Sequence, residues 1–231
     1  LLRGEFFIFV ILSILYLYLN HRNFKKILIM ILLTTIVVSP YLYRNYEIFS
    51  VITVTKSGGY NLLKGNHPRT KVEGTGMFGR VEVVIPEVKL KLQALNAKGP
   101  IQKHDLIKDE ILLSQAIYFI KEDPVRYMLL YIKKFTSFLF IDFNSSYNNY
   151  YSILHIVPKI ILALTSLIGI FLSMKKKINF SNFFIFFYLS NICLFSIFFI
   201  LPRYSLSLLT IQLILSFYGA EKILERFKKR L

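Results

Sequence analysis

Five apolar runs separated by short basic blocks set the first limit on this chain: Phe6–Leu19, Ile27–Tyr43, Ile153–Met174, Phe180–Ile200 and Tyr204–Ala220. A hydrocarbon layer about 30 Å thick takes about 20 apolar residues of helix, and these runs approach that length. The first is short, but Tyr16 and Tyr18 near its end suit the membrane interface. The last two are divided only by Leu201-Pro202-Arg203, a tight re-entry turn in which Pro202 cannot continue a helix. Hydrophobic residues at 55% and a mean hydropathy of +0.52 agree. The expectation is a mainly α, polytopic integral membrane protein of about five transmembrane helices.

The formal charge is +16, yet it does not point to nucleic acid. Outside the central loop the cations gather beside apolar runs, in HRNFKK, MKKKIN and ERFKKR, and such blocks stay on the cytoplasmic side. Arg22, Lys25 and Lys26 put the first connection inside. Lys175–Lys177 and the tail Lys222–Arg230 then also fall inside, so three blocks agree with five spans. Residues 1–43 read as the first two membrane helices, 44–151 as an extracytoplasmic loop, 152–220 as the last three helices and 221–231 as a basic cytoplasmic tail. The loop carries fifteen Lys/Arg against ten Asp/Glu, but loops this long cross the membrane largely regardless of charge. A bacterial cytoplasmic membrane is the expected location. The lone Cys193 forms no intrachain disulfide and reads as packing. The chain opens LLRGEFF without Met and shows no cleavage site after its first run, so it is read as a fragment, the C-terminal part of something longer, or a non-Met start.

The loop is expected to be mixed α/β. VITVTKSGGYNL reads as a short strand and turn, with Gly58-Gly59 supplying positive φ. VEVVIPEVKLKLQAL fits either an alternating strand broken by Pro86 or an amphipathic helix. HDLIKDEILLSQAIYFIKED is helical, with Leu106, Ile107, Glu110, Leu113, Ile117 and Ile120 near one face. Asp123-Pro124 starts a second helix, whose Lys133 and Lys134 keep it at the interface rather than across the membrane.

Three outer span ends carry an arginine: Arg3, Arg44 and Arg203. Brought together they make a cationic rim suited to a phosphate; taken singly, each can snorkel to lipid headgroups. In GGYNLLKGN, the glycines admit close approach while Tyr60, Asn61 and Asn66 offer a ring and paired donors and acceptors for sugar hydroxyls. A hairpin with turn asparagines explains the same residues. Asp105 and Asp109 share a helix face, as a metal or acid/base pair would, but Lys103 and Lys108 beside them make ordinary surface charge the better explanation. His21, His67, His104 and His155 are scattered with no partner at ligand spacing, and no metal site is expected.

An apolar span ending in Pro plus an aromatic and RNY, followed by GGYNLLKGNHP, resembles the polyprenyl-phosphate-sugar glycosyltransferases of the GT-C class. These include the bacterial relatives of dolichyl-phosphate-mannose protein mannosyltransferases and the aminoarabinose transferase group. KDEILLSQAIYFIKEDPVRYMLLYIKKF is similar to the family's loop helices, and LPRYSLSLLTIQLILSFYG to the Arg-Tyr span near its C-terminus. LLRGE resembles a family Arg-Pro-(Glu/Thr) step, with Gly4 where Pro is usual.

The resemblance implies inverting transfer of a sugar from a polyprenyl-phosphate carrier to a lipid or glycan acceptor on the outer face. It casts Arg44, Arg203 and Arg3 as carrier-phosphate contacts, and Tyr60, Asn61, Asn66 and Tyr204 as lining the sugar or acceptor cavity. The family's catalytic carboxylate lies in a first outer loop that would precede Leu1, so no catalytic residue is assigned here. Turnover is expected to need an N-terminal partner segment. The resemblance allows a divalent metal near the carrier phosphate in the complete enzyme, as some members of the family use, with no cofactor in this chain. The alternative is a non-catalytic membrane protein that binds anionic lipid or a partner protein.

Overall fold

The computed structural model describes residues 5–21, 23–53, 57–73, 85–97, 103–140, 152–176 and 179–228. Its helices are α1 (Glu5–His21), α2 (Phe24–Phe49), α3 (Gly58–Gly65), α4 (Pro86–Asn96), α5 (His104–Glu122), α6 (Pro124–Leu139), α7 (Ile153–Lys176), α8 (Asn179–Ile197) and α9 (Leu206–Lys228), with a 3-10 turn at Pro202–Ser205 before α9. Two compact units form: Leu1–Pro68 with Met77–Asp123, and Arg69–Gly76 with Pro124–Leu231. No strand occurs among the described residues, which corrects the mixed α/β expectation for the loop.

All five apolar runs fall on helices. By length and composition, α2 and α7 are apolar enough to cross a membrane, and shorter apolar helices cover Val10–Leu19 and Asn182–Ile197. In the first unit α1 packs on α2, yet only Ile27, Val38 and Asn45 of α2 are buried. Ile36 and Val37 are each 67% exposed. A helix whose aliphatic surface is left uncovered by protein is matched to lipid rather than to water. Pro40 cannot donate a hydrogen bond to the carbonyl of Ile36. The Ser39 hydroxyl donates to that carbonyl instead, at 3.2 Å, the kind of local substitution that makes proline tolerable in an apolar helix.

The GGYNL segment is a helix and not a strand and turn. Neither glycine supplies positive φ; Gly59 is there because α3 lies against α5 at backbone distance. A Cβ on Gly59 would stand 2.1 Å from the Asp109 carbonyl oxygen and 2.8 Å from the Leu113 amide. VEVVIPEVKLKLQAL resolves to helix from Pro86 onward, with Pro86 in the first turn and Val88, Leu92 and Leu95 buried; residues 81–84 lie outside the described residues. The α5 helix forms as expected but buries a different face. Leu112, Gln115, Ala116 and Phe119 point inward, while Leu113 and Ile117 are exposed. Gln115 accepts a hydrogen bond from Lys91 of α4 at 3.2 Å, so a polar side chain occupies a face that apolar counting passes over.

In the second unit α6, α7, α8 and α9 share one core, built around Phe138, Ile170, Tyr188, Ile192, Leu208 and Leu215. The closest pairing is α7 with α9. Cβ atoms on Gly169 and Gly219 would stand 1.9 Å from the Leu215 carbonyl oxygen and 2.1 Å from the Thr165 carbonyl oxygen. Beside them the hydroxyls of Thr165 and Ser216 meet at 2.5 Å. Residues rise together along both helices, so the pair is parallel. Apart from Ile170, the inward face of α7 is small or hydroxylated, with Ala163, Ser166, Gly169 and Ser173, whereas Ile161, Leu164, Ile168 and Phe171 face outward. Small and hydroxylated inside with large and apolar outside reverses the soluble pattern, and it is how helices associate in lipid. Cys193, expected as packing, is exposed.

Candidate functional site

Where α8 ends, its last carbonyls have no partner within the helix. Lys134 of α6 supplies one: its Nζ donates to the Phe198 carbonyl oxygen at 2.9 Å. The Lys134 side chain is fully buried, and desolvation pulls its pKa down from 10.5 to about 7. One turn along the same helix, the Ser137 hydroxyl donates to Glu73 Oε1 at 2.5 Å. Glu73 is 2% exposed, and its carboxylate acts electrostatically on Lys159 near the start of α7. Two lysines, a hydroxyl and a carboxylate therefore gather where the end of α6, the start of α7 and the end of α8 meet.

Aromatic rings connect this group to the turn before α9. Phe138 lies 5.9 Å from Phe195, and Phe195 stacks on Tyr204 at 6.3 Å. The backbone of Arg203 sits in that turn, and its side chain lies outside the described residues. Tyr204, assigned to the cavity, is half-buried against the core.

The remaining assigned residues belong to the first unit. Arg44 is exposed on α2, and its neighbour Asn45 is buried and donates from Nδ2 to the Thr53 carbonyl oxygen at 2.7 Å. The Asn of the RNY motif thus ties down the chain just past the helix, where Ser50 takes a left-handed φ of 54°. Tyr60 and Asn61 are half-buried on α3, and Lys64 Nζ lies 5.6 Å from the centre of the Tyr60 ring. Asn66 is buried, and its Nδ2 donates to the Leu62 carbonyl oxygen at 2.9 Å. Arg3 lies outside the described residues.

Asp105 and Asp109 separate in role. Asp109 accepts from the backbone N–H groups of Gly59 and Tyr60, each at 2.9 Å, and so closes the N-terminus of α3 with a negative charge placed where the helix dipole favours it. Asp105 faces solvent, 3.9 Å from His104 Nδ1. Among the described residues no group of three or more His, Cys, Asp or Glu side chains forms.

Sequence reasoning missed Glu73, Lys134 and Ser137 as a group. A signal for Lys134 exists: with Tyr127, Leu130 and Ser137 it repeats at helical spacing along the buried stripe of α6. Glu73, one acid in a polar segment, carries none. Comparison with protein-family models, curated proteins and solved structures gives no match to this chain.

Proposed function

We propose that this chain is the C-terminal portion of a membrane glycosyltransferase, one that moves a sugar from a polyprenyl-phosphate carrier to a lipid or glycan acceptor on the outer face of a bacterial cytoplasmic membrane. The reading takes five membrane spans from the basic blocks and the apolar runs, with α3 to α6 outside. The observation that carries it is the group of buried Lys134, Ser137 and Glu73 with half-buried Lys159 beside the turn that bears Arg203. Ionisable side chains gathered at membrane-helix ends serve ligands far more often than they serve stability, because desolvation makes them costly to keep.

In this reading Arg203 is a carrier-phosphate contact through a guanidinium fork, a role that Arg44 and Arg3 share on resemblance alone. Glu73 is a positioning residue that fixes the segment after Thr70 against α6. Tyr204, Tyr60 and Asn61 offer rings and amides to the sugar or acceptor. The acceptor-activating carboxylate comes from an N-terminal segment. Asp109 does not replace it, since both of its oxygens are engaged by α3.

The test is sugar transfer from a polyprenyl-phosphate donor in membranes holding this chain with and without the segment encoded upstream. The expected result is transfer only with both, with Arg203→Ala and Arg44→Ala raising the KM for donor and Glu73→Gln lowering kcat. Transfer that survives all three substitutions would falsify the residue assignments. No transfer across a broad set of donors and acceptors would overturn the enzyme reading.

A further inference from the structure

At the opposite end of the α7–α9 pair from Lys159 a groove of about 400 Å³ opens between the two helices. Its floor is Leu167, Ile168, Phe171 and Leu172 of α7 with Ile223 of α9, and its mouth is Lys222 and Arg226. The volume falls within the range of about 300–1,000 Å³ usual for small-ligand sites. Leu167 backs the floor against the core, while Ile168 and Phe171 open outward, Phe171 67% exposed, so whatever covers them is apolar along its length.

The charges at the mouth are uneven. Lys222 is held by Glu225 Oε1 and lies 5.9 Å from the centre of the Tyr218 ring. Glu221 is exposed on the same helix, Arg226 and Lys228 are exposed in its last turns, and Lys175 is exposed one turn beyond Phe171 and Leu172. Along these helix ends the cations Lys175, Lys222, Arg226 and Lys228 outnumber the carboxylates Glu221 and Glu225. The ion pair with Glu225 fixes Lys222 in place, while the guanidinium of Arg226 is exposed and points to a second, anionic group on the occupant.

We propose that this groove binds an anionic phospholipid, whose acyl chain lies on the apolar floor and whose phosphate is held by Arg226 with Lys222. An apolar cleft ending in cations at a membrane-helix terminus matches a molecule that is apolar over most of its length and negative at one end. The inference rests on α7 and α9 crossing the membrane and does not depend on sugar transfer.

The chain contains no tryptophan, so Phe171→Trp places a single indole in the groove. In vesicles of phosphatidylcholine with phosphatidylglycerol, one or the other carrying brominated acyl chains, indole quenching reads which lipid lies there. The expected result is about fivefold enrichment of phosphatidylglycerol over its bulk fraction, the size of one basic contact near a membrane surface. Arg226→Ala should lose that enrichment and Arg226→Lys should keep most of it. Equal quenching by the two lipids, or enrichment unchanged in Arg226→Ala, overturns the site while leaving the membrane reading intact. Quenching by neither overturns both. Should Phe171→Trp fail to fold, native mass spectrometry of the unsubstituted chain and Arg226→Ala, each released from the same mixed micelles, compares retained phosphatidylglycerol directly. Equal retention there sinks the proposal.

Discussion

Lys134 shows how a single residue can be placed by sequence spacing and still have its role hidden. Its ammonium is desolvated, so between about pH 7 and 10.5 the folded protein binds fewer protons than the unfolded chain. Stability therefore rises with pH across that window, and the full cost of burying the charge is felt below it. Lys134→Met should flatten this part of the profile, with a difference on the order of a few kcal/mol across the window. Thermal midpoints in detergent at pH 7 and pH 9, for both proteins, measure it; parallel profiles would rule the account out. At Gly59 the limiting factor is space. Gly59→Ala drives a methyl group into the Asp109 carbonyl and should cost about 1–3 kcal/mol, visible as faster amide exchange in α3 and α5. The sequence marked Gly59 as special but for the wrong reason, because a glycine required by a helix crossing and a glycine required by a turn look alike until the partner helix is known.

Among the elements, those defined by long apolar runs were legible and those defined by partners were not. The helices at 24–49 and 153–176 follow from composition alone. The inward face of α5 did not, because Gln115 and Ala116 contribute little to an apolar count and are buried by what α4 and α3 present to them. The association of α7 with α9 was within reach: Thr165, Gly169 and Ser173 repeat every four residues, the small-residue spacing of membrane helix pairs. Two substitutions separate the forces that hold it. Gly169→Leu leaves no room at the Leu215 carbonyl and should abolish the pairing. Thr165→Val keeps the helix spacing but removes the hydroxyl contact with Ser216, along with the bond from Thr165 to the Ile161 carbonyl of its own helix, and the interhelical part should cost about 0.6 kcal/mol, the usual worth of such a hydrogen bond in a bilayer. Cross-linking between cysteines introduced on the facing surfaces of α7 and α9 reads both.

For the whole molecule, the positive charge and the uncovered apolar surface together decide what surroundings the chain tolerates. Exposed aliphatic side chains dominate α2 and one side of α7, so the chain should remain in the pellet when membranes are stripped at alkaline pH. The proposed five-span arrangement makes a sharper prediction. In a Cys193→Ser background, cysteine at Asn61 should react with an impermeant reagent added outside intact cells, and cysteine at Lys228 only after lysis. Labelling of both from outside would overturn the arrangement. The proposed sidedness rests on the basic blocks, because retention of cations on one side depends on charge alone. The buried group around Glu73 was not legible in the sequence, because it depends on which loop segment returns to α6, and nothing in the local pattern of residues 69–73 encodes that return.

The parallel pairing of α7 and α9 also bears on how the chain is made. The two hydroxyls that meet across it are 51 residues apart, so α7 leaves the ribosome well before its partner exists. During that interval its small, hydroxylated face has no neighbour, and α8 must be laid down before α9 can arrive to close it. Assembly of this region is therefore set by waiting: a chain halted before Leu206 leaves the Gly169 face of α7 without the helix that closes it.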